Sequence, residues 1–352
     1  MKKYFEFDKL GTNYRREILG GLTTFLSMAY ILAVNPGMLS ETGMDYNAVF
    51  VATALAAAVG SLFMGIIARY PIALAPGMGL NAFFAFSVVL GMGMAWETAL
   101  TGVLFSGIIF IILSLTGLRE TVINAIPAQL KYAVGAGIGL FIAFLGLQNA
   151  GIVVDDGATL VNLASFNVYS GSAAWATIMP MLVTIFGVIA IAILSYKKVR
   201  GSVLWGILGS AVVYYALGLI SIPDFYNAAI APNLSTNFFA AFREFADLSL
   251  FRVFKDGFDF SAYIAANGTS SFIVLAVTTM LAFCMVDMFD TIGTLYGAAS
   301  QANLLDENGD PIDVDKCMTC DSVATVAGAV MGTSTCTTFV ESAAGVAAGG
   351  RT

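Results

Sequence analysis

Residues 271–300 read SFIVLAVTTMLAFCMVDMFDTIGTLYGAAS, an apolar run with two carboxylates, Asp287 and Asp290, in its middle. The run is long enough to cross a bilayer, which takes about 20 apolar residues. A charge at mid-membrane costs on the order of 3 kcal/mol or more, so contact with lipid does not explain it. The i, i+3 spacing directs both side chains from roughly one helix face. The stretch therefore predicts a polar site inside a bundle of transmembrane helices.

The composition of the whole chain also indicates an integral membrane protein. The chain has 352 residues, of which 58% are hydrophobic and 11% are charged, whereas soluble domains average about 25% charged residues. It contains no His, which excludes His-based triads, His–zinc sites and His proton relays. Any proton that the protein carries must therefore use Asp or Glu, and we expect neither a metal nor a cofactor.

Apolar segments recur along the chain and predict ten spans. Their approximate ranges are 19–39, 48–67, 72–90, 99–115, 132–147, 175–194, 203–220, 271–300, 322–331 and 339–350. With the N-terminus in the cytoplasm, every Lys and Arg except Arg243, Arg252 and Lys255 falls on the cytoplasmic side. This bias follows the positive-inside rule and favours an N-in orientation. Residues 222–269 then form an extracellular loop, with an interfacial amphipathic helix near 235–255.

Spans 3 and 10 are poor candidates for continuous helices. Pro76, Gly77 and Gly79 precede Asn81 in span 3, and such residues disfavour a helix interior. We expect extended backbone near 75–80 and 333–338, with a helix beginning near Asn81. Irregular backbone at this depth is tolerated where it lines a cavity, and matching broken segments are typical of transporter sites. The alternative is a proline kink packed by its neighbours.

A further carboxylate, Glu341, lies in the apolar stretch TSTCTTFVESAAGVAAGG, residues 333–350. We expect this stretch to face the 271–300 segment, so that the two hold a small ligand. The competing interpretation of Asp290 and Glu341 is a buried pair that only holds helices together. No Lys or Arg lies near either residue in the sequence to neutralise it, which disfavours that interpretation.

Four motifs together resemble one known family. They are TTFLSMAYILAVNP (23–36), APGMGLNAFF (75–84), VDMFDTIGTLYG (286–297) and TSTCTTFVESAAGV (333–346). They resemble the AzgA-like purine permeases of the nucleobase–cation symporter-2, or xanthine/uracil permease, superfamily, with the bacterial guanine/hypoxanthine permeases nearest. The resemblance extends over essentially the whole chain.

The resemblance implies an all-α fold of fourteen spans in two inverted seven-span repeats, with short strands in spans 3 and 10. After a cytoplasmic N-terminus (1–17), residues 18–118 and 270–352 would form a core domain, and residues 119–221 a gate domain. Spans 11–14 would be absent, so the chain is expected to be truncated after span 10.

The resemblance also implies a function and a set of site residues. The chain would import purine nucleobases, guanine or hypoxanthine favoured, across the cell membrane by proton symport, and would not be an enzyme. Asp290, Glu341 and Asn81 would bind the base, and Asp290 and Glu341 would couple it to the proton. Asp287, Thr291 and Thr338 would hold these binding residues in position without contacting the base themselves. The lipid bilayer is the other implied partner, nucleic acid is not, and a homodimer is one option.

The chemistry of these residue types suits a purine, which is a flat ring system with N–H donors and N or O acceptors on its edge. Carboxylates accept from N–H groups, whereas an Asn amide both donates and accepts. Two other interpretations stay open. An anion transporter of the same inverted-repeat fold would need positive helix ends, and Glu341 argues against it. An intramembrane enzyme using Asp287 and Asp290 would need a second acidic motif, which we do not find.

Overall fold

The computed structural model describes residues 3–116, 128–167, 174–197, 199, 202–227, 238–307 and 311–352. These residues form two compact units, one made of residues 1–135 and 238–352 and the other of residues 136–237. The predicted start of the gate domain at 119 lies outside the described residues, as do residues 235–237 of the predicted interfacial helix.

The first part of the larger unit consists of helices interrupted by one strand. In order these are α1 (Tyr14–Met28), α2 (Ile31–Ser40), α3 (Tyr46–Phe63), β1 (Leu74–Pro76), α4 (Met78–Ala82) and α5 (Trp96–Leu115). Two π-helical segments, Met64–Ala68 and Phe83–Gly91, directly follow α3 and α4. Helix α6 (Ala128–Asn149) then leads into the smaller unit.

The smaller unit contains the rest of α6, a hairpin and two long helices. Strands β2 (Val153–Asp156) and β3 (Leu160–Leu163) pair antiparallel, and α7 (Trp175–Tyr196) and α8 (Ser202–Ser221) follow. No pattern in the sequence predicted this hairpin. Its turn is held by the Asp156 carboxylate, which accepts hydrogen bonds from the backbone N–H groups of Ala158 and Thr159.

The larger unit resumes with a run of short helices before the long ones. These are α9 (Phe238–Glu244) with a π-helical segment (Phe245–Ser249), α10 (Arg252–Lys255), α11 (Ser261–Asn267), α12 (Thr269–Ala302), α13 (Val314–Met331), β4 (Cys336–Thr338) and α14 (Ser342–Ala348). The quoted stretch 271–300 thus lies within a single helix of 34 residues, α12.

Among the described residues, five helical segments are long and apolar enough to cross a membrane. They are Tyr14–Ser40, Tyr46–Ala68, Trp96–Leu115, Trp175–Tyr196 and Thr269–Ala302. Each overlaps a predicted span. Such segments, in a chain with 58% hydrophobic residues, are those of a multi-pass membrane protein.

Strands β1 and β4 come from distant parts of the chain and pair antiparallel, with Leu74 opposite Thr338 and Pro76 opposite Cys336. The Phe339 N–H donates to the Ala73 carbonyl at 2.9 Å, and the Gly77 N–H donates to the Thr335 carbonyl at 3.0 Å. The short strands predicted in spans 3 and 10 are therefore confirmed.

Two predicted boundaries are wrong. The helix after β1 begins at Met78 rather than near Asn81, because Gly77 already has extended backbone and its carbonyl accepts from the Asn81 N–H at 2.8 Å. Span 9, predicted as a short segment beginning at Ser322, is the 18-residue helix α13, which begins at Val314. Asp315 lies in the first turn of this helix, where acidic residues are favourable.

Helices α5, α12 and α13 pack closely around the paired strands. A buried cluster joins Phe110 of α5 to Met288 and Ile292 of α12 and to Met318 of α13. At Gly107 a Cβ would lie 2.8 Å from Val326 Cγ2, so α5 and α13 approach closely at this glycine. This packing holds α12 and α13 against β4 and against each other.

Candidate functional site

Hydroxyl side chains line β4 and the residues before it. Five of them are at most 2% exposed, namely Thr333, Ser334, Thr335, Thr337 and Thr338. A buried polar group without a hydrogen bond is unfavourable, yet the hydroxyls of Thr335 and Thr338 have no partner among the described residues. This concentration of polar groups in an apolar protein marks the strand crossing as the candidate site.

Behind β4 lies a group of buried polar side chains that we call the sealed cluster: Asp287, Thr291, Asp321, Thr325 and Thr337. All are at most 1% exposed. Thr325 Oγ1 lies 2.9 Å from Asp287 Oδ2, and Thr291 Oγ1 donates to Asp321 Oδ2 at 2.7 Å. Thr291 Oγ1 is also 3.1 Å from Thr337 Oγ1. The cluster thus connects α12, α13 and β4.

Asp321 is the functional candidate that the sequence analysis missed. It is fully buried near the middle of α13, but the predicted span 9 began one residue after it. The available signal was the same as for Asp287, namely a carboxylate inside an apolar segment. Its Oδ1 has no hydrogen-bond partner among the described residues, and neither has Oδ1 of Asp287.

Next to the sealed cluster, three residues form a group that we call the open layer: Tyr30, Asp290 and Glu341. Each is partly exposed, in contrast to the sealed cluster. The Tyr30 hydroxyl donates to Glu341 Oε1 at 2.5 Å. Asp290 lies near enough to Glu341 for their charges to interact. The two carboxylates predicted to bind the base are therefore brought together and remain accessible.

Asn81 differs from the other two predicted base contacts because it is fully buried. Its Oδ1 accepts a hydrogen bond from the Ser334 hydroxyl, and its Nδ2 has no partner among the described residues. Thr291 and Asp287, predicted to support the site, belong to the sealed cluster, and Thr338 is buried in β4. A role for Asn81 in binding the base therefore stays a prediction.

These carboxylates have no basic partner in the part of the chain that the structure describes. The ion pairs there include Lys9–Glu6, Arg243–Asp247 and Arg252–Asp256, and none involves Asp287, Asp290, Asp321 or Glu341. The same residues provide no group of His, Cys, Asp or Glu able to hold a metal ion. Uncompensated buried carboxylates are costly, so hydroxyl donors of the protein, bound protons or hydrogen-bond donors of a ligand must balance them.

Two cavities in the larger unit do not include the candidate carboxylates. One of about 430 Å³ is bounded by α1, α3 and the residues before β1, including Ala57, Tyr70 and Ile72. Another of about 210 Å³ lies between the start of α5 and α12 and is almost wholly apolar. Neither includes Asp290 or Glu341, so the candidate site is defined by its polar groups.

Strands that pair at the crossing of two broken segments, each leading into a helix, are typical of secondary transporters. With the membrane-crossing helices, the fold and site define the class as an integral membrane transporter. The Permease family model, Xan_ur_permease, matches residues 15–352. The chain belongs to this family.

The chain is also similar to curated permeases over its whole length. It is 48% identical to the guanine/hypoxanthine permease PbuG of Bacillus subtilis (strain 168), with 100% of the chain and 74% of the relative covered. It is 39% identical to the guanine/hypoxanthine permease PbuO of the same organism, with 99% and 73% covered. It is 36% identical to the adenine permease AdeQ of Escherichia coli (strain K12), with 100% and 71% covered.

Proposed function

We propose that this protein is a secondary active transporter that imports purine nucleobases, with guanine and hypoxanthine favoured, by proton symport across the cell membrane. The observation that carries the proposal is the pair of partly exposed carboxylates, Asp290 and Glu341, at the crossing of two broken segments. The names of the relatives support the substrate class, because they are guanine/hypoxanthine and adenine permeases.

The open layer has the chemistry that a purine edge requires. Ionised carboxylates only accept hydrogen bonds, and the edge of guanine or hypoxanthine presents N–H donors to them. Hydrogen bonds to charged groups contribute about 1.5–3 kcal/mol, roughly twice the value for neutral pairs. Asp290 and Glu341 therefore bind the base in this proposal.

The lack of basic partners suggests how a proton enters the cycle. Asp290 and Glu341 lie close together, and two like charges in such a place repel each other. A proton on one carboxyl supplies a donor for an acceptor of the base, while the ionised partner accepts from its N–H. Base and proton then strengthen each other's binding, which is coupling by linkage. The transporter also changes between its inward-facing and outward-facing states more readily when the occupied site is neutral than when it is charged.

The sealed cluster supplies a further place for a proton. Asp287 and Asp321 are both buried, and they lie near enough for their charges to interact. Neither forms an ion pair among the described residues. Thr337 and Thr291 connect this region to β4. We propose that the sealed cluster supports the proton chemistry of Asp290 and Glu341 from behind.

In the proposed architecture the β1–α4 and β4–α14 segments are corresponding parts of two inverted repeats of seven spans. Residues 18–118 and 270–352 form the core domain, residues 119–221 the gate domain, and the N-terminus is cytoplasmic. The antiparallel pairing of β1 with β4 supports this arrangement, since inverted repeats are related by a pseudo-two-fold axis in the membrane plane.

A competition experiment tests the proposed substrate class. Cells or vesicles containing the full-length protein take up radiolabelled hypoxanthine while unlabelled adenine, guanine, hypoxanthine, xanthine or uracil competes. We expect guanine and hypoxanthine to compete best, and the recovered label to be unmodified base. Uptake unaffected by every base would contradict the proposal, and recovery of a modified base would indicate an enzyme instead.

A further inference from the structure

Tyr30 lies at a break in the first membrane segment. Helix α1 ends at Met28 and α2 begins at Ile31, so Tyr30 projects from the joint between the two helices. Its hydroxyl reaches Glu341, which is 311 positions away in the chain. This is the only side-chain hydrogen bond that the structure gives Glu341 within the described residues. No pattern in the sequence predicted a role for Tyr30.

The Tyr30 ring also contacts the ring of Phe339, two residues before Glu341. Its centroid lies 6.4 Å from that of Phe339, with the ring planes inclined by 39°. Aromatic rings in direct contact have centroids about 4.5–7 Å apart, so the two rings already touch and no third ring fits between them. Tyr30 and Phe339 therefore do not form a slot that could hold a base between their rings.

The hydrogen bond restricts how Glu341 can serve a ligand. A carboxylate accepts through both oxygens, and Oε1 is already engaged by the Tyr30 hydroxyl. Such a bond to a charged group is short and directional. With Oε1 fixed, the carboxylate plane is fixed as well, and Oε2 is the oxygen left to accept from a second donor.

We propose that Tyr30 is a positioning residue of the base site, which orients Glu341 so that its free oxygen accepts an N–H of the bound purine. The inference rests on the proposed function. Tyr30 thereby contributes to selectivity. An acceptor held in place binds a base with an N–H at that position more tightly than a base without one. Without the hydroxyl, Glu341 turns more freely and discriminates less.

The test compares Tyr30→Phe with a matched control, Tyr70→Phe. Tyr70 also donates a hydrogen bond through its hydroxyl, but it is buried among apolar residues and bonds to the backbone carbonyl of Leu304 at 3.2 Å. Dissociation constants for hypoxanthine and for its 1-, 7- and 9-methyl derivatives are measured by competition against radiolabelled hypoxanthine, using the purified full-length protein. Each methyl group replaces one N–H donor.

Tyr30→Phe should weaken hypoxanthine binding about tenfold, the ratio that 1.4 kcal/mol produces. It should weaken binding less for the derivative that lacks the N–H accepted by Glu341, so the selectivity ratio between the two ligands falls. Tyr70→Phe should leave that ratio unchanged. Equal effects of Tyr30→Phe on every ligand, or no effect on binding, would overturn the inference.

A second measurement keeps the hydroxyl and covers the case in which Tyr30→Phe does not fold. 3-Fluorotyrosine is placed at position 30 or at position 70, and the ¹⁹F signal is followed as hypoxanthine is added. The signal from position 30 should shift and that from position 70 should not. An unshifted signal at position 30 while hypoxanthine binds would overturn this inference alone. Failure of the unaltered protein to bind any purine would overturn the proposed function and this inference with it.

Discussion

Thr291 of α12 donates a hydrogen bond to the buried carboxylate of Asp321 on α13, across 2.7 Å. The same hydroxyl oxygen lies 3.1 Å from the hydroxyl of Thr337 on β4. One side chain therefore joins the helix that carries Asp287 and Asp290 to the strand that leads to Glu341. The positions of the proposed base-binding carboxylates depend on this connection.

Thr291→Val should destabilise the protein, because it keeps the side-chain shape and leaves Asp321 without its donor. Stranding a buried polar group costs about 1–3 kcal/mol, and more when the group is charged. Thermal unfolding in detergent measures the effect. Thr278→Val is the control on the same helix, since the Thr278 hydroxyl bonds only to backbone carbonyls of its own helix. Equal unfolding temperatures for the two variants would contradict the assigned role.

Gly77→Ala should lower base affinity through Thr337. A Cβ at Gly77 would lie 2.6 Å from Thr337 Cγ2, so Thr337 would have to turn away from Thr291. The backbone at Gly77 has φ −76° and ψ 127°, which alanine adopts without strain, so the effect is one of contact alone. Gly21→Ala, where a Cβ meets nothing within 4 Å, is the control. The prediction is wrong if both variants bind hypoxanthine as the unaltered protein does.

Much of the fold was readable from residue patterns, because each membrane segment needs an apolar run of defined length. The strands at Leu74–Pro76 and Cys336–Thr338 were predictable because proline and glycine disfavour helix at those places. Which strands pair, and in which register, was not predictable, since the pairing depends on contacts between residues 260 or more positions apart.

The site was predictable only in part for a related reason. Asp287, Asp290 and Glu341 were found as carboxylates inside apolar runs, but Asp321 lies one residue before the apolar run 322–331 and close to Asp315 and Lys316. Tyr30 carries no such signal, because a tyrosine in an apolar segment is ordinary; only the three-dimensional structure shows its hydroxyl against Glu341. Likewise, the sequence could not indicate that Asn81 is fully enclosed.

Asn81→Ala should weaken base binding without unfolding the protein. Loss of a hydrogen bond to a neutral group is worth about 0.5–1.5 kcal/mol, and more where a buried partner is stranded. Ser334→Ala distinguishes a direct contact of Asn81 with the base from a role in holding Ser334. Ser334 donates to Asn81 Oδ1, and the substitution removes this hydrogen bond but leaves the Asn81 amide in place. If Asn81 contacts the base, Asn81→Ala should reduce affinity more than Ser334→Ala does. An unchanged dissociation constant in correctly inserted Asn81→Ala would remove Asn81 from the site.

The proposed orientation can be tested with introduced cysteines. The four native cysteines are buried, so an impermeant thiol reagent should react with them little. Asp8→Cys, before α1, should be labelled only from the cytoplasmic side, and Ala158→Cys, in the β2–β3 turn, only from the outside. Tyr14 and Leu160 are nearby exposed positions that provide a second pair of sites. Labelling of both loops from one side would contradict the span count between them.

The most direct test of the central claim is accumulation of hypoxanthine against its gradient. Vesicles containing the full-length protein are given an imposed inward proton gradient, and the internal base concentration is measured with and without that gradient. The account predicts accumulation with the gradient, equilibration without it, and loss of accumulation in Asp290→Asn and in Glu341→Gln, which keep shape but cannot titrate. At least one of these variants should still bind hypoxanthine, with less dependence on pH. Accumulation by both variants would show that neither Asp290 nor Glu341 carries the proton, and would contradict the mechanism.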